Sequence, residues 1–242
     1  MTRRHGNATT AITTVAIVVF GALSAFAGPP LLCHRFDLGD AQTIPFGEES
    51  WSDIQSGLSA EEIVVQTLDV LSPSAPILVR METLRRASIY AKKTDGVGAA
   101  LLMQLLARQL REGADNRAHA LLQFDVGYLL ATCEQLGGRS PGLPDWLGGA
   151  PALPSLQNVS GYDLLRRAEP LLGEDPQFHF ACAVVTAYPR ESRFTDHLRC
   201  AIEGTEDNTP LARNIVAVFG DGRTSLEGLR ARYGGIDAGE RR

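Results

Sequence analysis

Past residue 26 the chain has no apolar run near the ~20 residues needed to cross a bilayer. No span is therefore expected beyond the N-terminus. Basic residues never gather into a block and the net charge is −5, which removes the electrostatic footprint of a nucleic-acid or anionic-lipid binder. Aromatic residues make up only 7% of the chain. Alternating β-branched runs are missing, so no strand is expected. None of the four cysteines, Cys33, Cys133, Cys182 and Cys200, sits in a CxxC pair, so zinc-ribbon and thioredoxin-like chemistry lack their spacing. There is no GxSxG, HExxH, Walker loop or dinucleotide fingerprint, and no cofactor is expected.

The first 27 residues have the three-part layout of a cleavable signal peptide. Arg3 and Arg4 form a positive n-region, Ala11 to Phe26 an uncharged apolar run, and Ala25-Phe26-Ala27 a small-residue cleavage site before Gly28-Pro29-Pro30. Cleavage would leave 215 residues, enough for one large or two small domains. Losing two arginines and no acid takes the net charge to −7. The product is expected in the periplasm or outside the cell, where disulfides become possible.

The remainder reads as helices. Residues 28–58 form an arm interrupted by Pro29, Pro30, Gly39, Pro45 and Gly47 and expected to be extended. Ser59 with Glu62 makes a capping box before Val64, Leu68 and Leu71 at helical spacing. Further helices are expected over about Pro76–Lys93, Val97–Arg111 and from an Asp115 cap to Leu136, giving helical hairpins over 59–136. Residues 137–160 are rich in glycine and proline, with Trp146 and Leu147 the large apolar pair, and read as a loop that pins to the body or lids a groove. Helices resume over 161–233, from a Ser160 cap, from Asp175-Pro176, from about Arg193, from Thr209-Pro210 and from Ser225. A charged, Gly-containing tail covers 234–242. The fold class expected is all-α: stacked antiparallel helical hairpins behind an extended N-terminal arm.

Pro176 and Pro210 open helices 34 residues apart, with Ala201-Ile202 at a small-residue packing position and Asp207-Asn208-Thr209-Pro210 as an inter-repeat turn. In this spacing the C-terminal third resembles the tetratricopeptide family, which implies a right-handed array of helix pairs with a concave binding face. Gly28–Ala41, containing Cys33-His34-Arg35-Phe36-Asp37, and Val79–Ala91, containing Arg80-Met81-Glu82-Thr83-Leu84-Arg85-Arg86, are similar to segments of exported bacterial proteins of uncharacterised function. That similarity implies export and a helical body, and no chemistry.

Several groups remain as candidate sites. Cys33-His34 near Asp37 and Asp40 could be a thiolate dyad or partial metal site, but neighbours in an extended arm point apart and the ligands are too few. Arg80, Glu82, Arg85 and Arg86 read as a solvated, salt-bridged helix face, or as a face from which Arg80 or Arg85 holds the arm's Asp37 or Asp40 or an anionic ligand. Asp125 lies among apolar residues and needs a partner, Arg80 or Arg85 being the first choices. His119, His179 and His197 lie on separate helices without ligand spacing. Cys182 and Cys200, equidistant from a turn near residue 191, could clasp a hairpin through a disulfide. The reading is an exported, helical-repeat-like protein that binds a protein or peptide or serves a structural role in the envelope. The alternative is a periplasmic enzyme or small-ligand binder under the 137–160 loop, using His34, Arg80, Arg85 and Asp125.

Overall fold

A computed structural model describes residues 30–113, 116–137, 156, 159–187 and 192–234. Among them the protein is all-helical, without strands. Its helices are α1 (Pro30–Cys33), α2 (Ala60–Val70), α3 (Ile77–Lys93), α4 (Val97–Arg111), α5 (Arg117–Gly137), α6 (Gly161–Leu172), α7 (Pro176–Thr186), α8 (Phe194–Glu203), α9 (Pro210–Phe219) and α10 (Leu226–Tyr233). No helix among the described residues is long and apolar enough to cross a membrane. The segment expected to be a signal peptide, the Asp115 cap, Trp146 and Leu147 lie outside the described residues.

Local chemistry sets the helix starts. Ser59–Glu62 and Ser160–Asp163 form reciprocal capping boxes. Asp175 accepts from the Gln177 amide and Thr209 from that of Ala212, each just before a proline at the first helical position. Between α3 and α4 the chain turns at Gly96, whose φ of 85° favours glycine.

Helix α3 is the axis of the fold. Fourteen of its seventeen residues are buried, so it is enclosed on all sides instead of presenting one face to water. It packs on α2, α4, α5 and α7, and α5 in turn packs on α4, α6 and α7. The α5–α6 contact is close because it is made by glycines. A Cβ on Gly127 would lie 2.8 Å from the Gly161 carbonyl oxygen, and one on Gly161 would overlap the Ala131 backbone. A single core runs from Leu31 to Leu229 and includes Leu156 from the Gly/Pro-rich segment.

The arm differs from the fully extended form expected. Its first described turn is helical and inserts Leu31 and Leu32 into the core against α5 and α7. Residues 34–58 carry no helix and are held to α3 by side-chain bonds to their backbone.

Candidate functional site

The charged set on α3 divides into two buried arrangements. The solvated face expected for it is absent: Arg80, Glu82 and Arg85 are all essentially inaccessible. Arg80 donates from Nη1 to Asp125 Oδ2 at 2.6 Å. It also donates to the carbonyls of Ala75 and Ser72 in the α2–α3 turn. Asp125 is thus buried and paired with an arginine, and of the two first choices it is Arg80. Its Oδ1 has no hydrogen-bond partner among the described residues. Burial, opposed by the Arg80 guanidinium, pushes its carboxyl up to about 6.

Glu82 organises the second arrangement. Arg85 donates to both its oxygens at 2.7 and 2.8 Å, Arg86 donates at 2.7 Å, and the Phe36 amide donates at 3.2 Å. Each guanidinium also reaches arm carbonyls through Nη1: Arg85 those of Leu32 and Trp51, Arg86 that of Ile44. Phe46 sits beneath the guanidiniums of Arg35, Arg85 and Arg86. Arg85 thus grips the arm through its backbone, and not through Asp37 or Asp40 as the alternative reading of the sequence expects. Asp37 instead pairs with Arg213 at 2.5 Å, while Asn214 accepts from its amide and donates to its carbonyl.

His34, Arg80, Arg85 and Asp125 consequently do not converge. His34 is half-buried on the arm, with no hydrogen bond to the other three among the described residues, and burial lowers its pKa. Burial raises the Cys33 thiol despite nearby Arg85, the opposite of a thiolate nucleophile.

The clasp between Cys182 and Cys200 is not formed; all four cysteines are free. Register explains it. His179 and His197 face each other across the α7–α8 hairpin, with Nδ1 atoms 3.0 Å apart. On that register Cys182 is level with position 194, six residues or about 9 Å along α8 from Cys200. Cys182 is fully buried while Cys200 is part-exposed.

Two further features stand out. A cleft of about 250 Å³ opens beside the Arg80–Asp125 pair, walled by Leu71, Pro73, Leu121 and Leu122 and flanked by Arg80, Arg108 and Arg111. Arg108 spends one donor on the Leu68 carbonyl. Arg111 is exposed, with no carboxylate in ion-pairing range among the described residues. The second feature is a polar cluster that sequence spacing did not bring together. Tyr162 Oη lies 2.8 Å from His197 Nε2, and His179 Nε2 lies 2.6 Å from the Gly173 carbonyl oxygen. Burial and the neighbouring His179 lower His197 to about 4, so its ring is neutral at physiological pH. Burial pushes the Tyr162 hydroxyl up to about 12. The one clue was that α7 and α8 form a hairpin; its observed register, and not one centred near residue 191, places residues 179 and 197 at one level.

Comparison with family models, curated proteins and solved structures gives no match. The geometry of these sites is therefore the ground for a functional reading.

Proposed function

We propose that this is an exported, helical-repeat-like protein whose role is to bind an acidic peptide segment of another protein. The observation that carries the reading is the cleft among the α2–α3 turn, α4 and α5. About half of its lining is apolar, from Leu71, Pro73, Leu121 and Leu122, which suits an aliphatic side chain, and the other half is polar. Its arginines outnumber the acids: Arg80, Arg108 and Arg111 stand against Asp125 and Glu112. A carboxylate fits the exposed Arg111 fork better than any cation would. The 34-residue spacing of Pro176 and Pro210 supports a repeat architecture, in which stacked helix pairs serve as recognition surfaces. Export is supported by Arg3, Arg4, the Ala11–Phe26 run and Ala25-Phe26-Ala27.

Fluorescence polarisation tests the binding reading. Labelled peptides that combine leucine with aspartate or glutamate are expected to bind saturably in the micromolar range and more weakly as salt rises. The same peptides with asparagine and glutamine are expected to bind poorly. Arg111→Glu, a change at an exposed position, should weaken the acidic peptides by roughly tenfold. Equal binding of charged and amide peptides, or indifference to Arg111→Glu, would remove the cleft as the docking point. For export, the secreted product should begin at Gly28 by N-terminal sequencing, and a membrane-retained chain beginning at Met1 contradicts it.

A further inference from the structure

We propose that Glu169, His179 and His197 form a site for one divalent transition-metal ion, with zinc(II) the ion that fits best. The site lies on α6, α7 and α8 and is independent of the cleft. One potential ligand atom from each residue lies within 4.8 Å of the others. Two imidazoles and a carboxylate form a nitrogen–oxygen set suited to zinc, leaving further coordination positions to water.

The histidine geometry carries the argument. The two Nδ1 atoms are 3.0 Å apart. The edge of a tetrahedral zinc site with bonds of 2.0–2.1 Å is about 3.3 Å, so a slight spreading of the rings admits an ion. Each ring is also fixed through its far nitrogen, His179 by the Gly173 carbonyl and His197 by the Tyr162 hydroxyl. That is how metal-ligating histidines are oriented in proteins: the distant nitrogen is anchored so that the near one faces the metal. Tyr162 adds an edge-on ring contact with His197 at 5.8 Å.

The protons balance. Without metal, one arrangement satisfies every donor: Tyr162 O–H donates to His197 Nε2, His197 Nδ1–H to His179 Nδ1, and His179 Nε2–H to Gly173. Binding needs both Nδ1 atoms bare. The His197 proton moves to Nε2 and is donated to the Tyr162 oxygen, the part-exposed Tyr162 hydroxyl turning its own proton to solvent, while His179 keeps its bond to Gly173. The proton only changes nitrogen within His197, and the tautomer shift itself releases none. Glu169 turns from Arg193, which it holds at 3.5 Å in a part-exposed pair, and contributes the negative charge. His197 is only 2% exposed, so the ion enters from the more open Glu169 side.

The test uses the purified, chelator-treated full chain with Zn²⁺ alone in calorimetry and Co²⁺ alone in visible absorption. One Zn²⁺ per chain is expected, with Co²⁺ d–d bands of nitrogen–oxygen ligation and no thiolate charge-transfer band. Zn²⁺ should raise the Tm of the wild type. Glu169→Gln, at a part-exposed position, should keep the metal-free Tm, whereas His179→Gln also removes the partner of His197 Nδ1 and should lower it; both should lose more than about tenfold in affinity. His119→Gln, on α5, should leave affinity unchanged. Absence of stoichiometric binding, a thiolate band, or affinity unaffected by Glu169→Gln and His179→Gln would each overturn the site and leave the histidines as a hydrogen-bonded relay.

Discussion

The Arg80–Asp125 pair shows how a buried charge can be specified by the sequence and still work against stability. Asp125 among apolar neighbours demanded a cation, and α3 supplies Arg80 at 2.6 Å. Burial nevertheless outweighs the arginine's pull and raises the carboxyl from 3.8 to about 6. A folded pKa above the unfolded one means that the fold holds the proton more tightly than the open chain does. The associated stability is therefore fully present below about pH 4, is lost as pH rises towards 6, and is absent at pH 7. The difference of about two units corresponds to roughly 3 kcal/mol. Asp125→Asn removes this titration. Urea unfolding at pH 4 and pH 7 should show wild type losing roughly 2–3 kcal/mol relative to Asp125→Asn over that interval. Parallel pH profiles would mean that Arg80 cancels the burial effect. A pair of this kind serves placement more than stability: through Ser72 and Ala75 it fixes the α2–α3 turn that forms one wall of the cleft.

At the scale of elements, legibility follows the range of the signal. Helix starts at Ser59, Ser160, Asp175 and Thr209 could be read because a cap and its amide partner lie within three residues of each other. The burial of α3 could not. Five Arg and Lys residues in seventeen resemble a solvent face; Lys92 and Lys93 do stay exposed, but the arginines are turned inward by partners distant in the chain, Arg80 by Asp125 of α5 and Arg85 and Arg86 by the arm. The α5–α6 contact was equally hidden, because Gly127 resembles a weak helix residue until Gly161 is placed against it. The histidine cluster depends on the hairpin register. A register centred near residue 191 brought the two cysteines together, whereas His179 facing His197 centres it near 188. Three residues of slip separated a wrong disulfide from a convergent pair of imidazoles. The two acceptor carbonyls that Arg85 holds, Leu32 and Trp51, leave no side-chain signature at all.

Across the whole molecule, the arm changes what kind of helical stack this is. In an open array each unit touches only its neighbours, and stability adds unit by unit. Here the arm is bound to α3 through Glu82, Arg85 and Arg86, and then to α9 through Asp37, Arg213 and Asn214, positions some 176 residues apart. The two ends are thereby coupled, and loss of the arm should be felt at both. The attachments differ in strength because they differ in burial. Glu82 is fully enclosed and serves four donors, whereas Asp37 and Arg213 are both about half-exposed and screened by solvent. Glu82→Gln should leave two guanidiniums without their counter-charge and lower stability by about 3–5 kcal/mol. Hydrogen exchange should accelerate at the Phe36 amide and across residues 34–58, and also in α9. Asp37→Asn should alter exchange only locally, around α9. If Glu82→Gln left the exchange of 34–58 unchanged, or if the two variants behaved alike, α1 and its core leucines would be the true anchor of the arm, and the charged axis of α3 would be incidental to it.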